Sequence, residues 1–436
     1  MKPLPPWHKW YALGALIVVA LFNYIDRQSL AILQIPIKRE LGLSDTELGA
    51  LTGLSFALLY STLALPIARL ADRASRKWVI GIALAVWSAM TAASGLATGF
   101  ALLVVCRMGV ALGEAGCVPA THALIADYFP RERRATAIAV WGLSLPLGTM
   151  LGFAAGGWLD ETMGWRGAFF VLGGAGLVLV PLVLLTLREP ARGATDRVAT
   201  IPVAPSFRIA VRTLWRLKAF RHAAWAGALS SYAMYAMLNW NAVYYGRAFG
   251  VPTHWIAGYM ALATGLGGAA GTYLAGALAD RLGRRDPRWY MWVPAVAAAA
   301  TAPLMLIQYL VPDLDVSLVA GALTASLVNA YLPPLVATAQ SLVGAGLRAF
   351  TSSVLVLVVN IVGLGLGPLV TGALSDRLIA AYGMQTDSLR YAIAAAALAA
   401  LWSAWHFRRA ATYLPAELPG VRQLENDRPS QAVRVR

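Results

Sequence analysis

The chain has 436 residues, 58% of them hydrophobic and only 13% charged, where soluble domains carry about a quarter charged residues. That composition excludes an ordinary water-soluble protein, and the length admits about twelve spans of roughly 20 residues with short connections. The net charge of +15 does not point to nucleic acid, because most of the Lys and Arg fall in alternate loops and in the two tails. That is the positive-inside pattern, so the partner is the lipid bilayer and both termini are expected in the cytoplasm.

In chain order, the first apolar run extends from Trp10 to about Leu33 and carries Asp26 and Arg27. It is too long for a signal-peptide core and reads as a retained first span. Further apolar segments fall at about 45–68, 77–97, 99–124, 135–158 and 166–187. Cys106 and Cys117 lie in the fourth segment, about 16 Å apart along a helix, too far for a disulfide, and read as packing residues. Pro146 with Gly142, Gly148 and Gly152 marks a bendable, close-packed fifth span.

Residues 1–187 are thus expected to form one six-helix bundle. A polar linker follows at 188–220, in which Phe207, Leu214, Trp215 and Leu217 alternate with Arg208, Arg212, Arg216 and Lys218. That pattern suits an amphipathic helix on the cytoplasmic surface. Segments at about 221–246, 254–279, 289–310, 314–341, 349–372 and 388–407 give a second bundle over 221–408. Residues 409–436 are polar and rich in Pro and Arg, and read as a disordered cytoplasmic tail.

The chain repeats itself. Ala68-Arg-Leu-Ala-Asp72-Arg73-Ala-Ser-Arg76-Lys77 follows the second span, and Gly276-Ala-Leu-Ala-Asp280-Arg281-Leu-Gly-Arg284-Arg285 follows the eighth. Asp280 minus Asp72 is an offset of 208 residues, which is six spans plus the linker. A six-plus-six duplication is how many transporters build a midplane interface where a substrate sits.

Those two stretches resemble the G-x-L-A-D-R-x-G-R-[RK] loop of the major facilitator superfamily. The second copy matches throughout, while the first has Ala68 and Ser75 in place of the glycines. The resemblance covers about residues 10–408. It implies twelve helices in two pseudo-symmetric bundles, and a cytoplasmic gate formed by Asp72, Arg73, Arg76, Asp280, Arg281 and Arg284. Finer motifs are Asn23-Tyr24-Ile25-Asp26-Arg27, Arg107…Gly113-Glu114-Ala115, Ala123-Leu-Ile-Ala-Asp127 and Leu41-Gly-Leu-Ser-Asp-Thr-Glu-Leu-Gly49. These look like bacterial spinster-like transporters, whose eukaryotic relatives move lysophospholipids and sphingosine phosphate. They are also similar to the organic-anion:proton symporters that import sugar acids.

Charged side chains within a span cost at least a few kcal/mol each when unpaired. With the N-terminus inside, Asp26 and Arg27 lie roughly 10–12 Å below the outer end of the first span. Arg107 in the inward-running fourth span sits at a similar depth, and Glu114 lies two turns further, near the middle. Asp26 and Glu114 are therefore read as the proton-coupling pair, with Arg27 exchanged between them. Arg107 would complete the network or attract a substrate anion. A static ion-pair network between the two spans is the competing reading.

The 208-residue offset places Tyr235 opposite Arg27 and Ala322 opposite Glu114, so the second half lacks the charges. Its candidates for the substrate cavity are Tyr235, Asn239, Asn241, Asn329 and Asn360, with Asn23 from the first half; each could equally be an interhelical packing residue. No phosphate-binding loop, metal-ligand spacing or nucleophile set is visible, so no enzyme, cofactor or metal is expected. The expectation is a monomeric, proton-coupled secondary transporter of the plasma membrane, working by alternating access. Its substrate would be a lysolipid-like or other amphiphilic anion. The alternatives are a sugar-acid symporter and a drug:proton antiporter, the last weakened because the fifth span lacks the Gly-Pro dipeptides such exporters carry.

Overall fold

The computed structural model describes residues 5, 7–191, 207–343 and 347–426; side chains at 64–65, 68–69, 71–73, 131–132, 135, 207–210, 349 and 419–426 lie outside that description. Among the described residues, the regular structure is entirely helical. In a bilayer this follows from the backbone, whose polar groups must be satisfied within the segment. Seven helical stretches are long and apolar enough to cross a membrane. One of them, Thr136–Thr186, covers two of the expected spans, because Gly164 at φ +70° breaks it.

The helices follow the apolar segments. The first is α1 (His8–Leu41), ended by Gly42 in the left-handed conformation. α2 is assembled from Asp45–Gly49, a π-helical turn at Ala50–Leu54, and Ser55–Arg73. It opens on a capping box in which Ser44 and Glu47 satisfy each other's backbone N–H groups. α3 is Arg76–Ser94, and α4 is Phe100–Ala115 continued by Cys117–Tyr128. α5 runs from Arg131 and α6 ends at Thr186, divided at Gly164. The linker carries a helix at Phe207–Arg216.

α7 is Lys218–Phe249. α8 again has a π-helical turn, Ala261–Gly267, between Thr253–Met260 and Gly268–Gly283. α9 is Trp289–Leu310 and α10 joins Leu314–Leu327 to Leu332–Ser341. α11 joins Arg348–Val359, the π-turn Asn360–Leu366 and Gly367–Tyr382, and α12 joins Ser388–Ala394 to Ala396–Asn426. The π-turns of α2 and α8 fall in corresponding helices of the two sequence repeats, the second starting three residues later than the 208-residue offset would place it.

Contacts divide the chain into two compact units. The first comprises Met1–Arg197, Leu238–Leu266 and Pro368–Leu389. Its central seam is α1 against α5, where glycines recur every fourth residue. A Cβ on Gly148 would lie 2.6 Å from Cβ of Tyr24, one on Gly152 2.8 Å from Cβ of Gln28, and one on Gly156 2.6 Å from Ile32. Only glycine admits that approach, the small-residue packing that replaces the hydrophobic effect between membrane helices. Gly142 meets nothing within 4 Å and is not part of the seam.

The second unit comprises Val198–Met237, Gly267–Gly367 and Arg390–Arg436. Its core gathers Leu214, Phe220, Tyr331, Leu335, Phe407 and Leu414. That core corrects the expected disordered tail. The α12 helix continues to Asn426, because Ala410, Ala411 and Leu414 are buried and the Glu417 carboxylate accepts the N–H groups of Lys218 and Ala219. Composition reported the polar residues there and not the apolar stripe beneath them. Residues 427–436 lie outside the described residues.

Large apolar side chains elsewhere face outward. Val178, Leu185, Tyr273 and Leu398 are between 71% and 82% exposed. On a helical protein of this composition such a surface is covered by lipid.

Candidate functional site

The glycine seam fixes α1 so that its charged residues project toward α2, α3 and α4. Arg27 donates through Nε to Oε2 of Glu114 at 2.6 Å, with Glu114 fully buried. Adjacent in sequence but pointing elsewhere, Asp26 accepts the Thr91 hydroxyl at 2.9 Å through Oδ2. No ion pair is made to Asp26 among the described residues; its Oδ1 is buried without a partner, as are Arg107 Nε and Glu114 Oε1.

Asp26, Thr91, Ser94 and Arg107 line one small cavity of about 20 Å³, with Leu103 and Phe169 among its apolar walls. That is room for a single water with the polar neighbours a water needs. The four charges therefore divide into a direct pair, Arg27–Glu114, and a second pair, Asp26 and Arg107, that shares a cavity.

Aromatic rings complete the arrangement. The guanidinium of Arg27 lies 4.6 Å from the ring centres of both Phe56 and Tyr60, and that of Arg107 lies 4.5 Å from Phe56. Phe56 is fully buried and stacks on Tyr60 at 5.3 Å. Both come from α2, four residues apart, so one helix face presents them together. Cation–π contacts of this kind are worth about 0.5–2 kcal/mol each, most when desolvated. Sequence reasoning missed Phe56, Tyr60 and Thr91. The i, i+4 aromatic pair was a usable signal, whereas Thr91 carried none.

The other candidates are placed less centrally. Asn23 is buried on α1 beside the network. The backbone carbonyl of Asn239 accepts Gln34 Nε2 at 2.8 Å within the first unit, and Asn241 is buried nearby on α7. Tyr235, Asn329 and Asn360 belong to the second unit. Asn329 donates to Ala325 O of its own helix at 2.9 Å, and Asn360 opens the π-turn of α11. His122 packs edge-on against Trp141 at 4.9 Å, and Cys106 and Cys117 are buried and free.

The repeated loops differ from each other. Side chains of Asp72 and Arg73 lie outside the described residues. Arg76 is buried, donates through Nε to Glu189 at 2.9 Å, and pairs through Nη1 with Asp127. Partial burial pushes the Glu189 carboxyl up, but hydrogen bonds from Ser75 and Arg76 outweigh it and hold it below its ordinary value. In the second copy Asp280, Arg281 and Arg284 are exposed, and Asp280 accepts the Tyr290 hydroxyl at 2.7 Å.

An all-helical membrane protein with this buried charge network falls in the class of secondary transporters. The profile of the Major Facilitator Superfamily matches residues 16–368, and the chain belongs to that family. It is 34% identical over 384 residues, 87% of each chain, to an MFS-type efflux pump of Mycolicibacterium smegmatis. Shorter matches are to human protein spinster homolog 1, 32% identical over 46% of this chain and 38% of that one, and to a probable L-galactonate transporter of Escherichia coli, 33% identical over 38% and 37%. Among solved structures, a bacterial homologue of the lysosomal transporter spinster, inward-facing and unoccupied, superposes with a TM-score of 0.87 at 28% identity, covering 96% of this chain and 99% of that one. The chain is a multi-pass membrane transporter and not an enzyme.

Proposed function

We propose that this protein is a proton-coupled carrier of an amphiphilic anion, working by alternating access, with Asp26 and Glu114 as its proton-coupling carboxylates. The observation that carries the reading is the unequal treatment of the two. Glu114 holds Arg27, while Asp26 has one hydroxyl donor, no cation and an unpartnered oxygen facing a water-sized cavity. Charge in such a place is costly without a partner, so in this state Asp26 holds the proton and Glu114 is ionised. Passing Arg27 from Glu114 to Asp26 would exchange those roles, coupling proton movement to a change of state.

The likeness to the bacterial spinster homologue supports a carrier that works by alternating access. Asp72, Arg73, Arg76, Asp280, Arg281 and Arg284 would form its cytoplasmic gate, and the residues of the second copy are exposed and so free to take a partner as the carrier changes state. The two bundles over 1–187 and 221–408, both termini in the cytoplasm, and a linker helix lying on the inner surface belong to the same reading. Exposed Trp215 beside Arg212 and Arg216 suits that position.

The second reading, a sugar-acid symporter, is favoured by the matches to sugar-acid transporters and by the unpartnered Arg107 Nε beside the cavity. Proteoliposomes with an internal pH dye separate the two. Proton flux evoked by lysophospholipids and lost in Glu114→Gln and Asp26→Asn supports the first reading, and flux evoked only by sugar acids supports the second. Full proton-driven transport in both variants overturns the site assignment. The likeness to an efflux pump makes export the direction to assay first.

A further inference from the structure

At the other end of α1, about 18 Å from Asp26 along the helix axis, lies a second charged cluster that the transport site does not use. Asp45 is fully buried, yet four donors converge on its carboxylate. Arg247 grips it as a fork, Nη1 to Oδ2 at 2.9 Å and Nη2 to Oδ1 at 2.7 Å. Lys38 pairs with Oδ1, and the Ser375 hydroxyl donates to Oδ2 at 2.6 Å. Asp376 in turn accepts the N–H groups of Asp45 and Thr46 at 3.1 and 2.7 Å and the Thr46 hydroxyl at 2.6 Å, capping the start of α2.

The cluster joins the end of α1 and start of α2 to the ends of α7 and α11, segments that all lie in the first compact unit. Backbones meet closely there: a Cβ on Gly372 would fall 2.2 Å from the Asp45 carbonyl oxygen, and one on Gly49 2.3 Å from that of Pro368. The pairs Arg27–Glu114 and Arg76 with Asp127 and Glu189 connect residues of the first sequence repeat and the start of the linker, none of them from the second repeat. Asp45–Arg247 crosses from the first repeat to the second. His254–Glu161 also crosses, at 3.4 Å, but both side chains are at least half exposed and the pair is worth little.

We propose that Asp45 is the hub of an outer latch, closed in this structure, which must part for the Asp26 cavity to open outward. The chemistry suits a contact that breaks and re-forms. Arg247 and Lys38 keep 19% and 28% of their side chains in solvent, so water can reach the cations as the fork opens. The carboxylate, sealed while closed, gains water only when the helices separate. A fork of charge-assisted hydrogen bonds is also directional, so it fixes one closed register and not a range of them.

The inference rests on the alternating-access reading but needs no substrate to test. Spin labels at Arg39→Cys and Ala380→Cys, both exposed positions, in a Cys106→Ser/Cys117→Ser background in nanodiscs, report the separation of the outer ends of α1 and α11. Arg247→Gln is expected to enlarge a longer-distance population at least threefold. Ser375→Ala, which keeps every charge, is expected to enlarge it about twofold and covers the case in which Arg247→Gln does not fold. Unchanged distances in folded Arg247→Gln, or in Ser375→Ala where the former fails to fold, overturn the latch. Loss of proton flux in Glu114→Gln with unchanged distances, or normal flux with altered ones, separates the latch from the coupling site.

Discussion

Asp26 and Arg27 are neighbours in sequence but serve different partners: Arg27 reaches Glu114 at 2.6 Å, and Asp26 turns to Thr91 at 2.9 Å. Successive residues on a helix point about 100° apart, so one dipeptide feeds two sites. Phe56 stands against both Arg27 and Arg107, at 4.6 and 4.5 Å from its ring centre. It is the element common to both halves of the network.

Phe56→Leu tests that role. The substitution keeps an apolar side chain and removes the π face that both guanidiniums meet. Two desolvated cation–π contacts of about 1 kcal/mol each correspond to a roughly tenfold or greater loss of transport. The melting temperature in detergent should fall by only a few degrees. Wild-type transport rates in proteoliposomes would show that the ring is simply packing.

The glycine seam gives a paired prediction. At Gly152 a Cβ would stand 2.8 Å from Gln28 and 3.0 Å from Ile25, so Gly152→Ala pushes α1 away from α5. Overpacking of this kind costs about 1–3 kcal/mol, and it displaces Asp26 and Arg27 as well. Gly142 has open space around it, so Gly142→Ala should leave stability unchanged or slightly raised. Thermal unfolding of the two variants side by side checks the contrast.

The order in which these features became legible has a physical basis. Apolar length and the price of intramembrane charge exposed the spans and the four charged residues without any structure. Partners far away in sequence did not show. Asp45 finds Arg247 and Ser375 at separations of 202 and 330 residues, and nothing local marks either of them as its ligand. The repeated motif assigns Arg76 and Arg284 the same place at the cytoplasmic gate, and Arg284 is exposed. Asp127 and Glu189, brought in by the ends of α4 and α6, bury Arg76 instead. The tail misled in the opposite direction, since its polar residues concealed Ala410, Ala411 and Leu414 on one buried stripe.

The Arg76 cluster has a pH signature. Because Glu189 is held below its ordinary carboxylate value, its contribution to stability is present above the unfolded-state pKa near 4.3. It is lost as pH falls through the lower folded-state value. Glu189→Gln should therefore be less stable than wild type at pH 7.5, by about 1 kcal/mol given its partial exposure. The difference should close as pH is lowered below about 4. A gap in melting temperature that persists at low pH would mean that Glu189 acts through packing and not charge.

Arg27 and Glu114 allow a static ion pair to be told from a coupling element. Arg27→Gln leaves the Glu114 carboxylate buried without its cation, and breaking a buried pair from one side costs about 3–5 kcal/mol. The double variant Arg27→Gln/Glu114→Gln removes both charges and replaces them with amides that can hydrogen-bond to each other, so most of that stability should return. Transport should not return with it. If the pair only held α1 to α4, restoring stability would restore proton-driven uptake to near the wild-type rate. If Glu114 carries the proton, the double variant is a stable protein that still exchanges substrate across the bilayer but no longer accumulates it against a gradient. Counterflow and pH-driven uptake, measured on the same proteoliposomes, distinguish the two.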